Sequence, residues 1–149
     1  TPLPRWRWVV AGGIAALAAD VVMTLVFALS IGLGATSGGV SAGDAMLGSA
    51  SLGLYAAAVI GIGFAIGGLW RTSLAAELVA LFVVATYLVG LLGPPLGLPD
   101  PIVQLALTTH FGQPMAGQWD AVGVVACVAI ALGGIAVGAW GMSRRDVAR

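Results

Sequence analysis

The chain has 149 residues, of which 60% are hydrophobic and 8% charged, with a formal net charge of zero, and its mean hydropathy is +1.06. Soluble domains carry roughly 25% charged residues. A chain this short cannot hide so much apolar surface in a core of its own, so a bilayer is its solvent. Six arginines and no lysine exclude a phosphate-binding loop of the GxxxxGK[ST] type, because the lysine that reaches the phosphates is missing.

In chain order, residues 8–34 are apolar, interrupted by Asp20, Thr24 and Ser30, and long enough to cross a hydrocarbon core roughly 30 Å thick. A segment rich in Gly and Ser follows, from Ala35 to Ser51, and carries Asp44. Second and third spans are predicted over 52–70 and 74–92, separated by Arg71. Residues 93–118 form a long connection containing Pro94, Pro95, Pro99, Pro101 and Pro114. A fourth span covers 119–142, closed by Ser143-Arg144-Arg145. The predicted fold class is thus an all-α integral membrane protein, one transmembrane domain of four helices plus a short outer-side helix.

That short helix is predicted over about residues 100–110. Pro99-Asp100-Pro101 reads as its start, with Asp100 as N-cap and Pro101 in the first turn, where a missing N–H costs nothing. A helix of about ten residues is too short to span, so it should lie in the interface or re-enter against the bundle. Pro99, Asp100, Pro101 and His110 are the candidate outer-side cap.

Orientation follows from charge. Arg5, Arg7, Arg71, Arg144, Arg145 and Arg149 all fall on one side of a four-span topology, while the opposite loops carry Asp44 and Asp100. Under the positive-inside rule both termini of this segment are cytoplasmic. Trp6, Trp8, Trp70, Trp119 and Trp140 fall near predicted span ends, as an interfacial aromatic belt requires.

Helix packing is predicted from small residues. Ser49, Gly53, Ala57, Gly61 and Ala65 recur every four residues, Gly63 and Gly67 make a GxxxG on a neighbouring face, and Gly134 and Gly138 another in the last span. In lipid, close backbone approach at such positions supplies the dispersion contacts that hold helices together.

Among polar residues, Asp20 is the most costly. It lies roughly 18 Å into the first helix, near mid-bilayer, where a charge costs at least ~2.5 kcal/mol. Two readings stay open: a proton or cation relay or a polar point on a substrate path, or a neutral carboxyl bonded to Thr24 or a neighbouring helix. Glu77 sits only about 8–10 Å from the cytoplasmic end, where pairing with Arg71 or Arg7 is the plainer reading. The lone His110 reads as a cap or interfacial group, and the lone Cys127 as a small hydrophobe. Together they make no metal site, and no arrangement for nucleophilic catalysis is present.

Two motifs and their order add a resemblance. The chain opens with Thr1-Pro2-Leu3-Pro4-Arg5-Trp6-Arg7-Trp8, a segment of the type TP-x-x-R-x-R-W leading into a membrane helix. Its third span runs into Gly93-Pro94-Pro95-Leu96-Gly97-Leu98-Pro99-Asp100, and its last closes with Arg144-Arg145-Asp146. The combination resembles the final third of the permease subunits of bacterial ATP-driven exporters of the polyketide-antibiotic and multidrug type.

The resemblance implies that these spans are the last four of a longer six-helix permease in the bacterial plasma membrane. It implies export of hydrophobic or amphipathic compounds (an antibiotic, polyketide or drug) by alternating access. ATP and Mg would then be held by a separate ABC ATP-binding subunit, coupled near Thr1, Pro2, Leu3, Pro4 and Arg5, and this chain would bind no cofactor and not itself be an enzyme. The other expected partners are the remaining helices of the permease or a second permease copy, the lipid bilayer and the small-molecule substrate, with no nucleic acid. Two rivals are a self-contained proton-coupled four-helix exporter using Asp20, and a non-transporting membrane assembly subunit.

Overall fold

The computed structural model describes residues 4–35, 41–70, 72–104, 106–114 and 118–147. Helices α1 (Arg5–Ala35), α2 (Ala42–Leu69) and α3 (Thr72–Leu92) come first. The connection then holds a one-turn helix α4 (Asp100–Val103), a 3₁₀ turn at Leu107–Phe111, and strands β1 (Gly112–Gln113) and β2 (Gln118–Trp119). These two strands pair antiparallel, with Gly112 opposite Trp119. Helix α5 (Ala121–Val147) closes the fold. Among the described residues, four helices are long and apolar enough to cross a membrane, so the protein is an all-α membrane protein.

Three sets of boundaries differ from the sequence expectation. Helix α2 starts at Ala42 rather than near residue 52, so half of the small-residue segment is helical. Ser41 supplies the N-cap, its side chain accepting from the Asp44 N–H at 3.4 Å, and Asp44 in the first turn suits the positive end of the helix dipole. The glycines and serines there do not break the helix because neighbours pack on them: Ala45, Gly48 and Ser49 are buried, and the Ser49 hydroxyl is satisfied by the Met46 carbonyl at 2.8 Å. At the other ends, α1 already begins at Arg5, and α5 starts after Trp119 but runs on to Val147, taking Arg144 and Arg145 into the helix.

The third difference is the outer helix expected over 100–110, which is two short pieces. Pro99, not Asp100, occupies the N-cap position of α4, and no side chain caps it. What precedes it is a well-formed helix ending. The Leu98 N–H reaches the Gly93 carbonyl at 3.0 Å and the Gly97 N–H the Pro94 carbonyl at 3.2 Å, with Gly97 at φ +64°. That pair of bonds around a left-handed glycine is a Schellman motif. It satisfies the Gly93 and Pro94 carbonyls, which the end of the helix would otherwise leave without partners.

The helices alternate in direction, which puts Arg5, Arg7, Arg144 and Arg145 at one end of the bundle and Asp44, Asp100 and Asp120 at the other. Helices α2 and α5 therefore run parallel, and theirs is the most extensive contact, followed by α1 on α2. The α2–α5 seam consists of Leu54, Ala58, Gly61, Ala65 and Gly68 against Cys127, Ala131, Gly134, Gly138 and Gly141, all buried or half-buried. Both sets advance by four, three, four and three residues. That mean of 3.5 is the period of a left-handed, coiled-coil-like pair.

Backbones meet along this seam. A Cβ on Gly61 would stand 2.6 Å from the Ala131 Cα, one on Gly138 would stand 2.9 Å from the Phe64 carbonyl carbon, and one on Gly141 would stand 2.6 Å from the Gly68 oxygen. The predicted ribbon spaced every four residues is accordingly not one face. Each step of four turns about 40° round the helix, so Gly53 meets Thr24 of α1 whereas Gly61 meets α5. Ala57 is half-buried, and its neighbour Ala58, at 0% exposure, holds the seam.

Replacing Gly61 or Gly134 with Leu is expected to destabilise the protein by about 1–3 kcal/mol or more, because the obstruction is backbone that cannot turn aside. Gly133→Leu, where nothing lies within 4 Å, is expected to change stability by less than ~0.5 kcal/mol. Thermal unfolding of the purified protein in detergent checks both.

Candidate functional site

Helices α1 and α3 both lean on α2 but make no extensive contact with each other. Between them runs an open groove of about 680 Å³. Its floor is α2, through Ile60, Gly63, Phe64 and Gly67, its α3 wall is Ala76, Val79 and Ala80, and its α1 wall is Val9 and Ala16. Every lining residue is apolar or glycine. The residue numbers place it in the half of the bundle nearer the arginines, with Met142 of α5 closing that end.

Local chemistry shapes the groove. Gly63 and Gly67, predicted as a helix-packing motif, do not bring backbones together: a Cβ on either would meet α3 at ordinary contact distance, 3.6 Å from Val79 Cγ2 and 3.7 Å from Ala75 Cβ. Their missing side chains instead hollow the floor. At the opposite end α3 is tied to α2 by a polar contact, with Tyr55 Oη 3.3 Å from Thr86 Oγ1. The Thr86 hydroxyl donates to the Phe82 carbonyl at 2.9 Å, so Tyr55 is the donor between the helices. Thr86 is 8% exposed. In the sequence the only sign of this tie is a lone threonine in a largely apolar span.

Asp20 lies on the inward stripe of α1, half-buried between Gly13, which packs on Ile135 of α5, and Thr24, which packs on Gly53 of α2. Its carboxylate makes no hydrogen bond to Thr24 and, among the described residues, no ion pair. It sits one turn beyond Ala16 of the groove wall, about 6 Å along the axis and within about 40° of the same face.

Glu77 is exposed on α3. Of its suggested partners, Arg71 lies outside the described residues, and the Arg7 guanidinium is over the Trp6 ring at 5.6 Å. Asp20 and Glu77 are not brought together by any bond.

At the arginine-bearing end, Thr1, Pro2 and Leu3 of the proposed coupling segment lie outside the described residues, Pro4 is exposed, and Arg5 opens α1. The Pro4 carbonyl accepts from the Arg7 N–H at 3.0 Å. Arg145 reaches across from α5 and donates to the Trp70 carbonyl at the end of α2, a cation placed at the negative end of a helix dipole. Arg144 lies over the Trp140 ring at 4.1 Å.

At the other end, Pro99, Asp100 and Pro101 are exposed and His110 half-buried, with His110 Nε2 2.7 Å from the Gln104 carbonyl oxygen. The residues that plug the bundle here are others. Ala106 is 0% and Phe111 4% exposed, and Phe111 packs in a cluster with Ala58 and Cys127. An aromatic residue inside the polar run Thr108–Gln113 was the sign of it. Asp120 then starts α5, its Oδ1 accepting from the Val122 N–H at 2.9 Å.

A family model described as the multidrug efflux system permease Rv1217c, C-terminal domain, matches residues 1–142. The chain belongs to this permease family. No curated protein and no solved structure matches it. The apolar helices and the groove are thus those of a membrane transport protein from a multidrug efflux permease family.

If Asp20 serves no packing bond, Asp20→Leu is expected to cost less than ~0.5 kcal/mol or to stabilise the protein by removing a polar group from mid-bilayer. Thermal unfolding in lipid nanodiscs measures it, and a marked fall in stability would show that the carboxyl holds the helices together.

Proposed function

We propose that the chain forms part of the transmembrane pathway of an ATP-driven exporter that moves hydrophobic or amphipathic compounds (an antibiotic, polyketide or drug) out of the cell by alternating access. The observation that carries the reading is the groove between α1 and α3. Its volume of about 680 Å³ falls in the range of small-molecule pockets, roughly 300–1,000 Å³, and its lining suits an apolar substrate. The arginine bias makes its end of the bundle cytoplasmic, where a drug dissolved in the inner leaflet would meet it.

The packing supports a division of labour. Helices α1, α2 and α5 are joined through small residues into one closely packed unit, whereas α2 is the only long helix with which α3 makes extensive contact among the described residues. A rigid-body shift of α3 against that unit would close the groove without opening the seam. ATP and Mg are assigned in this reading to a separate ATP-binding subunit, which presses on the arginine-bearing end near Arg5; the 149 residues themselves contain no lysine for a phosphate-binding loop. Whether the remaining transmembrane partner is more of the same permease or a second copy does not alter this mechanism.

A second reading has its own observation. The unpartnered carboxylate of Asp20 on an inward helix face suits a proton-coupled carrier. Inverted vesicles from cells expressing the full permease operon separate the two. Accumulation of a fluorescent drug is expected to require ATP and to survive a protonophore; uptake driven by a proton gradient without ATP would establish the carrier instead. Filling the groove with Gly63→Leu and Ala76→Phe is expected to cut ATP-dependent uptake at least about tenfold while the protein remains folded, since neither position touches the α2–α5 seam.

A further inference from the structure

We propose that the groove is selective for lipophilic cations, with the apolar body of the ligand seated between α1, α2 and α3 and its positive centre at Asp20. The inference rests on the groove being the substrate site. It adds the substrate's charge.

Three observations carry it. First, the groove offers contact but no polar anchor, because its lining from Val9 to Met142 is entirely apolar. An anchor is what fixes the orientation of a ligand in a site of this kind. Second, the anchor stands where the groove runs out. Asp20 continues the face of α1 that Val9 and Ala16 present to the groove, one turn deeper into the bundle. Third, nothing in the described chain balances its charge. The arginines among the described residues, Arg5, Arg7, Arg144 and Arg145, all lie within about one turn of a helix end. Arg7 is the nearest along α1, and thirteen residues of helix put it roughly 20 Å away.

A carboxylate held in hydrocarbon without a countercharge is among the most costly placements a membrane helix can make. A monovalent organic cation removes that cost on binding, and an anion increases it. A neutral compound does neither. Selectivity for positive charge therefore follows from the Asp20 carboxylate standing at the end of an otherwise apolar groove.

Equilibrium binding to the full permease in nanodiscs tests this with two probes, radiolabelled tetraphenylphosphonium as the cation and the neutral dye N-phenyl-1-naphthylamine. Asp20→Asn is expected to lower the ratio of cation to neutral-dye affinity about tenfold, and Asp20→Glu to restore most of it. The groove-filling pair Gly63→Leu and Ala76→Phe is expected to weaken both probes together. An unchanged ratio in Asp20→Asn overturns the cation selectivity while leaving the groove as the substrate site, provided the filled groove still weakens both probes. Equal loss of both probes in Asp20→Asn also overturns it, because the carboxyl would then be acting on the shape of the site. Undiminished binding of both probes to the filled groove overturns the substrate-site reading itself, and the selectivity with it.

Discussion

The contact of backbone on backbone between α2 and α5 is the constraint on which the rest of the structure depends. In water two helices are driven together by the apolar surface they remove from solvent, but lipid tails are as apolar as leucine and offer no such drive. What remains is dispersion, which falls away steeply with distance. Gly61 and Gly68 on one helix, and Gly134, Gly138 and Gly141 on the other, let the two backbones approach until their main-chain atoms touch. Ala58, Ala131 and Cys127 continue the same line with the next smallest side chains, all of them buried.

Once that pair is formed, the positions of the other helices follow. Helix α1 fits along the shared surface of α2 and α5, placing Gly13 on Ile135 and Gly32 on Met46. The side of α2 turned away from the seam is left to α3, which lies across Gly63 and Gly67 at ordinary van der Waals distance. Because α1 and α3 occupy separate sides of α2, a space opens between them. The groove is therefore a consequence of giving the tightest packing to another pair, and the glycines that deepen it differ in role from those that lock the seam.

The two ends of the bundle are closed by different means. Near the arginines the closure is electrostatic: Arg145 binds the last carbonyl of α2, so the end of α5 is held to the start of the α2–α3 connection. At the opposite end it is apolar, with Phe111 pressed onto Ala58 and Cys127, Ala106 fully buried and the backbone turned by Gly97 and Gly112. An export path that enters beside the arginines and leaves at the other end would have to pass the second closure, which is the more easily displaced of the two because its contacts are made by short, irregular segments.

The sequence by itself determined the solvent, the number of spans and the arrangement of charge, because hydropathy and the placement of arginine and tryptophan are properties of single segments in contact with lipid and interface. It also marked Asp20 as unusual, since its depth in the span follows from its position along the helix and an acid at that depth is costly unless it is partnered. The helix partners were decided only in three dimensions. Small residues are so common here that a spacing of four and a spacing of 3.5 can both be found in α2, and only the neighbour chosen by each face tells Gly61 from Gly63. The beginning of α2 was hidden for a related reason: Gly48 and Ser49 weaken a helix in isolation and strengthen it when another helix packs on them. The groove was hidden most completely, because it is the space left over after every pair of helices has settled, and no local pattern records a space.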